Sequence, residues 1–265
     1  MRILFVGDVV GAPGRRILRT RLRGLKRDVG ADLTIVNGEN AAGGAGLTTV
    51  TAEELFAAGA DVVTTGNHVW DKREVLGLLE RESRILRPAN YAEGSPGRGV
   101  IVVEAARTRV GVVNLMGRLF MPLVDDPFRI ADRIVGELRG LADVVLVDFH
   151  AEATSEKMAF AWHLDGRVAA VLGTHTHVAT ADARILPGGT AFISDVGMTG
   201  SFDSVIGVKK EQSIERFRTS RPIPYETADG DVRLCGVRVD VDAATGRATA
   251  IERIELAESD EGTKR

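Results

Sequence analysis

The sequence contains a single cysteine, Cys235, among its 265 residues. One thiol excludes a disulfide framework and a thiolate metal cluster within the chain, and it fits a reducing, cytoplasmic location. No apolar run approaches the length of about 18 residues that a transmembrane helix needs, so we expect no membrane span. The first residues also lack the long apolar region and cleavage pattern of a signal peptide. We therefore expect a cytoplasmic protein.

A strong charge of either sign is also missing. Thirty-four basic and 37 acidic residues give a formal net charge of −3 and a pI near 6.0, which provides no general attraction to nucleic acid or anionic membrane. One segment, residues 15–27, is locally basic. A solvated helix face is the favoured interpretation of this segment, and an RNA-contacting patch is the alternative.

The chain shows no internal repeat and no low-complexity linker. Its hydrophobic content of 44% and charged content of 27% are typical of a soluble globular protein. We predict a single domain over residues 1–265, in which residues 256–265 form a polar tail.

Short apolar runs rich in valine and isoleucine alternate with helical patterns. The runs predict buried strands at residues 3–6, 33–36, 61–65, 100–105, 109–115, 144–150, 168–173 and 190–195. The predicted helices include one that ends at Gly30, one capped by Thr51 with Glu54, one that starts at Asp71, and one with Asp126 as N-cap, Pro127 in its first turn and Gly140 as its stop. This alternation predicts an α/β fold, and the last strands predict an antiparallel hairpin.

Polar side chains follow five of the predicted strands. In open α/β sheets, ligands bind beyond the carboxyl ends of the strands, so these residues are the candidates for a site. Each has an ordinary structural alternative, because a lone Asp or Asn often forms a turn or caps a helix. His163 lies within a helical pattern instead, and we interpret it as structural. The candidates are Asp8, Glu39, Asn40, Asn67, His68, Asp148, His150, His175 and His177.

The chemistry of these side chains favours a metal site. They supply oxygen and nitrogen donors without sulfur, which suits manganese, iron or zinc, while the imidazoles argue against calcium and magnesium. They are too numerous for one ion and suit a pair about 3.5–4 Å apart. If the segment of His175 and His177 is extended, both side chains point to one side, roughly 7 Å apart. They could then bind one ion, bind two neighbouring ions, or form a polar pair on a strand edge.

Four short motifs carry a family resemblance. Gly7-Asp8, Gly38-Glu39-Asn40, Gly66-Asn67-His68 and Gly173-Thr-His-Thr-His177 resemble the motif series of the calcineurin-like metallophosphoesterases. The first motif lacks the usual Asp-x-His, and the second has Gly-Glu-Asn in place of Gly-Asp. These departures resemble the YmdB-like 2′,3′-cyclic-nucleotide phosphodiesterases, as do residues 148–157 and 193–200. The resemblance spans roughly residues 2–210.

The resemblance implies a metallophosphoesterase-type α-β-β-α sandwich with mixed central sheets and a dinuclear centre of iron or manganese, with zinc as a further option. His68 is expected to donate a proton to the leaving oxygen, or to act as a hydrogen-bond donor behind the ligands. Asp148 either orients a ligand histidine or is structural. By motif, one ion would take Asp8, Glu39, Asn40 and His177, and the other Asn67, His150 and His175, with Glu39 bridging.

The resemblance also implies a phosphodiesterase of cyclic nucleotides, most of all 2′,3′-cyclic nucleotides, in which a metal-bridging hydroxide attacks phosphorus. A broad phosphodiesterase or phosphomonoesterase, a regulatory protein that binds a phosphorylated ligand with slow or no turnover, and a single structural metal site are the alternatives. No residue is predicted to bind an organic cofactor. Residues 40–48 are glycine-rich without a P-loop pattern, and they could let the backbone pass close to the metals or form a mobile rim. The glycine-rich residues 195–207 could cover substrate or form a subunit contact, and a homo-oligomer stays open.

Overall fold

The computed structural model describes residues 1–259. The first half of the chain contains β1 (Arg2–Val6), α1 (Gly11–Val29), β2 (Leu33–Asn37), α2 (Thr49–Ala58), β3 (Val62–Thr64), α3 (Val75–Arg81), β4 (Ile85–Leu86), β5 (Val100–Ala105), β6 (Thr108–Met116) and α4 (Pro127–Leu138). The second half contains β7 (Val144–His150), α5 (Thr154–Leu164), β8 (Ala170–Thr174), β9 (Arg184–Ile185), β10 (Ala191–Ile193), β11 (Gly200–Ser201), α6 (Lys210–Thr219), β12 (Val232–Asp242) and β13 (Arg247–Ala257). All eight predicted strands are confirmed.

Two mixed sheets lie face to face between two layers of helices. The first sheet has the order β11-β12-β1-β2-β3-β4, with β13 paired to β12, and the second has the order β5-β6-β7-β8-β10-β9. Helices α1, α2 and α3 pack on the outer face of the first sheet, and α4 and α5 pack on the outer face of the second. The α-β-β-α sandwich and the terminal hairpin are therefore confirmed.

Strand β1 illustrates why the strands are apolar throughout. Ile3 and Phe5 face the core between the sheets, whereas Leu4 and Val6 face the helices. Because both sides of the strand are covered, the period-2 alternation of a half-buried strand is absent. Within residues 1–259, no helix combines the length and the apolar character that crossing a membrane requires.

Helix boundaries confirm some predicted caps and correct two. Gly30 ends α1 in a left-handed conformation, and Asp126 caps α4. The N-cap of α2 is Thr48 and not Thr51. Thr51 takes the third helical position, which was predicted for Glu54, and its hydroxyl accepts the backbone N–H of Thr48 to complete the capping box.

The helix predicted to start at Asp71 begins instead at Val75, with Glu74 as its N-cap. The Asp71 carboxylate contacts the His68 ring instead.

Ion pairs occupy much of the basic face of α1. Arg15 pairs with Glu54, and Arg16 pairs with both Asp229 and Glu258. These contacts favour the interpretation of a structural helix face over an RNA-contacting patch. Strand β13 extends to Ala257, so the first residues of the predicted tail belong to the sheet, while residues 260–265 of that tail lie outside the described residues.

Candidate metal centre

The eight side chains predicted as metal ligands or proton donor converge at one edge of the sandwich, beyond the ends of β1, β2, β3, β7 and β8. Glu39 lies in the middle of this cluster and is almost fully buried. Its Oε2 is 3.2 Å from Nε2 of His150 and accepts the backbone N–H of His68 at 3.3 Å. Its Oε1 accepts a hydrogen bond from Nδ2 of Asn40 at 2.9 Å.

The ligand atoms form two groups that share Glu39. In the first group, Glu39, His150 and His175 have their ligand atoms within 4.8 Å of one another, and Oδ1 of Asn67 is 3.0 Å from Nε2 of His150. The second group comprises Asp8, Glu39 and His177, whose candidate ligand atoms also lie within 4.8 Å of one another. Asn40 lies beside this group, with its Nδ2 3.1 Å from Nε2 of His177, and it would bind an ion through Oδ1 because an amide nitrogen is a donor.

Asp8 tests whether the cluster fits a cation. Its Oδ2 accepts the backbone N–H of His175 at 3.3 Å, but its buried Oδ1 has no hydrogen-bond partner among the described residues. Burial raises the pKa of Asp8 to about 6, against the opposing effect of His177 and His150. A buried carboxylate oxygen without a partner is unfavourable, and a cation at this position would satisfy it. The residues present therefore fit a metal ion.

Gly66 allows the backbone to approach the cluster. A Cβ atom at this position would lie 2.3 Å from Oε2 of Glu39 and 2.3 Å from Nε2 of His150. Any side chain at this position would therefore collide with Glu39 and His150. This close approach explains the glycine in the Gly-Asn-His motif.

A chain of hydrogen bonds orients His150. The Thr174 hydroxyl donates to Oδ1 of Asp148 at 2.7 Å, so it is free to accept a hydrogen bond from Nδ1 of His150 at 2.9 Å. With its proton on Nδ1, a ligating His150 presents the lone pair of Nε2 to the cluster. Asp148 thus acts on a candidate ligand histidine, but through Thr174 and not directly.

Asp148 also connects the two sheets beneath the cluster. Its Oδ2 accepts hydrogen bonds from Nδ2 of Asn37 at 2.9 Å and from the Thr64 hydroxyl at 2.5 Å, and both donors belong to the first sheet. Burial raises the pKa of Asp148, and His150 and these donors oppose the rise. Both predicted roles, orienting and structural, are therefore combined in one side chain.

The sequence suggested an extended segment at His175 and His177. In the structure, this segment is not part of a strand. Strand β8 ends at Thr174, and the two histidines have φ angles of 99° and 66°. Positive φ is unfavourable for residues with a side chain, so the surrounding contacts must hold this loop. The two side chains therefore reach the cluster from a tight loop and not through the period of a strand.

A buried ion pair supports this loop from below. Asp195 accepts the backbone N–H of Thr176 at 3.0 Å and its hydroxyl at 2.8 Å. Lys157 donates to Asp195 at 2.8 Å and to the carbonyl of Thr174 at 2.7 Å. These two positioning residues were not predicted from the sequence. Their signal was the opposite charges within the segments 148–157 and 193–200.

The histidines of this loop have a second partner each. Nε2 of His175 is 3.0 Å from a Glu152 carboxylate oxygen, and Nδ1 of His177 is 2.8 Å from the carbonyl of Ile206. These contacts leave Nδ1 of His175 and Nε2 of His177 for the cluster. Glu152 was also missed, although a carboxylate two residues after His150 was a visible signal.

His68 stands beside the ligands at the wall of a cavity. Its Nδ1 is 2.8 Å from Oδ2 of Asp71, which holds the ring in place. His163, the fifth histidine, lies on α5, and its Nε2 is 2.9 Å from Oδ1 of Asp132 on α4. It takes no part in the cluster. That position agrees with its predicted structural role.

The cavity has a volume of about 600 Å³, which is the size of a small-ligand pocket. Both glycine-rich segments contribute to its rim, through Gly43 and Gly44 and through Val205 and Ile206. Segment 195–207 therefore borders the space where a substrate would bind. The metal-ligand side of the cavity is formed by Glu39, Asn40, His68, Glu152, His175 and His177.

A known protein family and several of its members match almost the whole of this chain. A family model described as YmdB-like protein matches residues 4–254. The chain belongs to the YmdB-like protein family. It is 49% identical over 254 residues to the 2′,3′-cyclic-nucleotide 2′-phosphodiesterase of Bacillus subtilis (strain 168), and the match covers 96% of each protein.

Solved structures of similar chains have the same fold. A hypothetical protein from Thermus thermophilus is 47% identical, with a TM-score of 0.93 over 97% of this chain and 100% of that one. A novel phosphatase from Mycoplasma pneumoniae is 38% identical, with a TM-score of 0.92 over 97% of this chain and 93% of that one. The predicted resemblance to this family is confirmed.

Proposed function

We propose that this protein is a metal-dependent phosphodiesterase that hydrolyses 2′,3′-cyclic nucleotides at a centre for two transition-metal ions. The observation that carries the proposal is the pair of ligand groups that share Glu39 at the wall of a substrate-sized cavity. The name of the Bacillus subtilis relative supports the choice of substrate. The single cysteine supports a cytoplasmic location.

The proposed ligands divide as the two groups do. Glu39 would contact both ions, as its central position in the cluster allows. Nitrogen and oxygen donors without sulfur suit iron or manganese, and they also accept zinc. Asp8, Asn40 and His177 would complete one site, and Asn67, His150 and His175 the other.

The reaction requires charge neutralisation and a proton donor. Two bound ions would neutralise the phosphoryl oxygens and lower the pKa of a water molecule. His68 can carry a proton on Nε2 while Nδ1 stays bound to Asp71, and it lines the cavity. It would pass this proton to the leaving alkoxide as one P–O ester bond breaks. One water is consumed, and the product is a nucleoside monophosphate.

The decisive experiment combines metal analysis with a substrate panel. The purified protein is reconstituted with Mn²⁺ or Fe²⁺ and assayed with 2′,3′-cyclic AMP, 3′,5′-cyclic AMP and an aryl phosphodiester. We expect about two ions per chain and the highest kcat/KM for the 2′,3′-cyclic nucleotide. His68→Ala should lower kcat by about 10²–10⁴-fold without changing the metal content.

His163→Ala is the matched control, because His163 lies outside the cluster, and its kcat should equal that of the wild type. Ligand binding without metal-dependent turnover would replace the proposal with a regulatory role. Comparable turnover of all phosphodiesters and of phosphomonoesters would indicate a broad phosphoesterase. One ion per chain, with unfolding on chelation, would indicate a structural metal site.

A further inference from the structure

We infer that the cavity wall next to the proposed metal ligands binds the nucleobase of the substrate by stacking and accepts all four bases. The inference rests on the proposed function and adds the part of the site that recognises the substrate. The base wall, as we name it, comprises Val205, Ile206, Val208, Arg216, Phe217 and Tyr225.

Large apolar side chains are exposed on the base wall. Phe217 is 79% exposed, Ile206 is 52% exposed and Tyr225 is 41% exposed, and all three line the same cavity. Exposed apolar side chains that cluster in a concave surface indicate a binding site, whereas isolated ones do not. Aromatic rings in such a position offer the flat faces on which nucleobases stack.

Arg216 extends this flat surface. Its guanidinium carbon lies 4.8 Å from the centroid of the Tyr225 ring, and the side chain makes no ion pair within residues 1–259. A guanidinium group adds stacking area and a positive charge, which suits an aromatic base attached to a phosphate. The substrate class that matches both features is a nucleotide.

The base wall begins directly beside a proposed metal ligand. The carbonyl of Ile206 accepts the hydrogen bond from Nδ1 of His177 at 2.8 Å, and the Ile206 side chain lines the cavity. A phosphate held by the proposed ligands would therefore leave the attached nucleoside next to the base wall. This continuity selects the base of the substrate as the occupant.

The polar groups of the base wall do not distinguish one base from another. Bases are read by side chains such as Arg, Asn, Gln, Asp and Glu, which match their donor and acceptor patterns. Among the described residues that line the cavity, the Asn and Glu side chains are those of Glu39, Asn40 and Glu152, on the metal-ligand side, and the Arg216 guanidinium lies over the Tyr225 ring. Stacking depends on ring area, so purines should bind somewhat more tightly than pyrimidines.

The test compares cyclic phosphates with and without a base. The 2′,3′-cyclic nucleotides of all four bases are assayed beside glycerol 1,2-cyclic phosphate, which has the five-membered phosphate ring alone. Phe217→Ala should raise KM for the nucleotides by roughly tenfold, leave kcat unchanged, and leave KM for the base-free compound unchanged. Phe217→Trp should restore the wild-type KM.

Phe120→Ala is the control, because Phe120 is 85% exposed and does not line the cavity. An equal loss for substrates with and without a base would overturn the inference. So would an altered oligomeric state on gel filtration with unchanged KM values, which would make the wall a subunit contact.

Binding measurements separate this inference from the proposed function. Calorimetry with adenosine 3′-monophosphate and with inorganic phosphate measures the contribution of the base without turnover. The wild-type protein could bind adenosine 3′-monophosphate more tightly than inorganic phosphate, with the difference depending on Phe217, and yet hydrolyse no cyclic phosphate. That result would refute the proposed function and support the base wall. Turnover of cyclic phosphates, with no contribution of the base to binding, would support the proposed function and refute the base wall.

Discussion

The two sides of the cavity differ in burial and in the number of contacts that hold each side chain. On the metal-ligand side, Glu39 and Asn40 are almost completely buried, as is His150 of the same cluster. On the base wall, Phe217 and Ile206 are mostly exposed. Metal ligands must be positioned by further hydrogen bonds, whereas a stacking surface needs only area and a suitable orientation. The part of this site proposed to perform chemistry is therefore held by many contacts, and the part proposed to bind the base is held by few.

The two sides also come from different parts of the fold. The proposed ligands follow strands of both sheets and rest on the network of Asp148. The base wall comes from α6, through Arg216 and Phe217, and from the chain segments on either side of that helix. Substitutions beneath the ligands should therefore alter stability and metal binding together. Substitutions on the base wall should alter KM alone.

The largest effect is expected for Lys157→Met beneath the ligands. The change leaves the carboxylate of Asp195 buried without its cation, which should lower the free energy of unfolding by about 3–5 kcal/mol. The loop of His175 and His177 loses support at the same time, so the metal affinity should also fall. Urea denaturation with metal titration measures both quantities.

Lys26→Met is the matched control for this substitution. Lys26 and Asp61 form an ion pair at 2.7 Å, close to the distance in the buried pair, but both side chains are partly exposed. Its removal should cost no more than about 1 kcal/mol. Similar losses for the two variants would contradict the idea that the buried pair supports the loop.

The second effect is a pH dependence of metal uptake by protein stripped with a chelator. Burial disfavours the imidazolium of His150, but Glu39 and Asp8 outweigh burial and raise the pKa of His150 to about 9. A ligand imidazole must be neutral, so below pH 9 the ion competes with this proton. The pKa of Asp8 is raised only to about 6, so this carboxyl is ionised in the range from pH 7 to 9.

Between pH 7 and 9, the affinity for Mn²⁺ should therefore rise by about tenfold per pH unit, which corresponds to the release of one proton. Calorimetry in buffers of different ionisation enthalpy counts that proton. An affinity that stays constant over this range would contradict a protonated His150 in the stripped protein.

A smaller effect is expected at Thr174, which joins Asp148 to His150. Thr174→Val keeps the shape but removes the hydroxyl that accepts from Nδ1 of His150. The loss of such a partner behind a ligand typically costs about 10–100-fold in metal affinity. Thr174→Ser keeps the hydroxyl and should bind metal as the wild type does. Equal affinities for the Val and Ser variants would show that the hydroxyl does not orient His150.

Much of the metal-ligand side could be predicted from the sequence, because its chemistry lies at the ends of strands. Runs such as residues 144–150 are apolar on both faces and end in polar side chains, so they reveal both the strand and the candidate ligand. The fold then brings the ends together, since the carboxyl ends of parallel strands share one edge. The loop of His175 and His177 escaped prediction because its positive φ angles depend on distant contacts with Lys157 and Asp195.

The base wall could not be predicted in the same way. Helix α6 is largely exposed, with Ser213 as its buried residue, so its sequence has no apolar stripe that marks a packed helix. The role proposed for Phe217 and Tyr225 depends on the cavity that they line, which is visible only in the structure. A surface selected for contact with a ligand leaves no periodic pattern of the kind that burial against the protein produces.

The smallest effect is expected at Ile206, where the two sides of the cavity meet. Its carbonyl accepts the hydrogen bond from His177, while its side chain belongs to the base wall. Ile206→Ala keeps the carbonyl and removes all of the side chain beyond Cβ, so KM for 2′,3′-cyclic AMP should rise by about three- to fivefold with kcat and metal content unchanged. Steady-state kinetics and metal analysis of one preparation measure all three. A fall in metal content would mean that the side chain also positions His177. The distinction between the metal-ligand side and the base wall would then not hold at this residue.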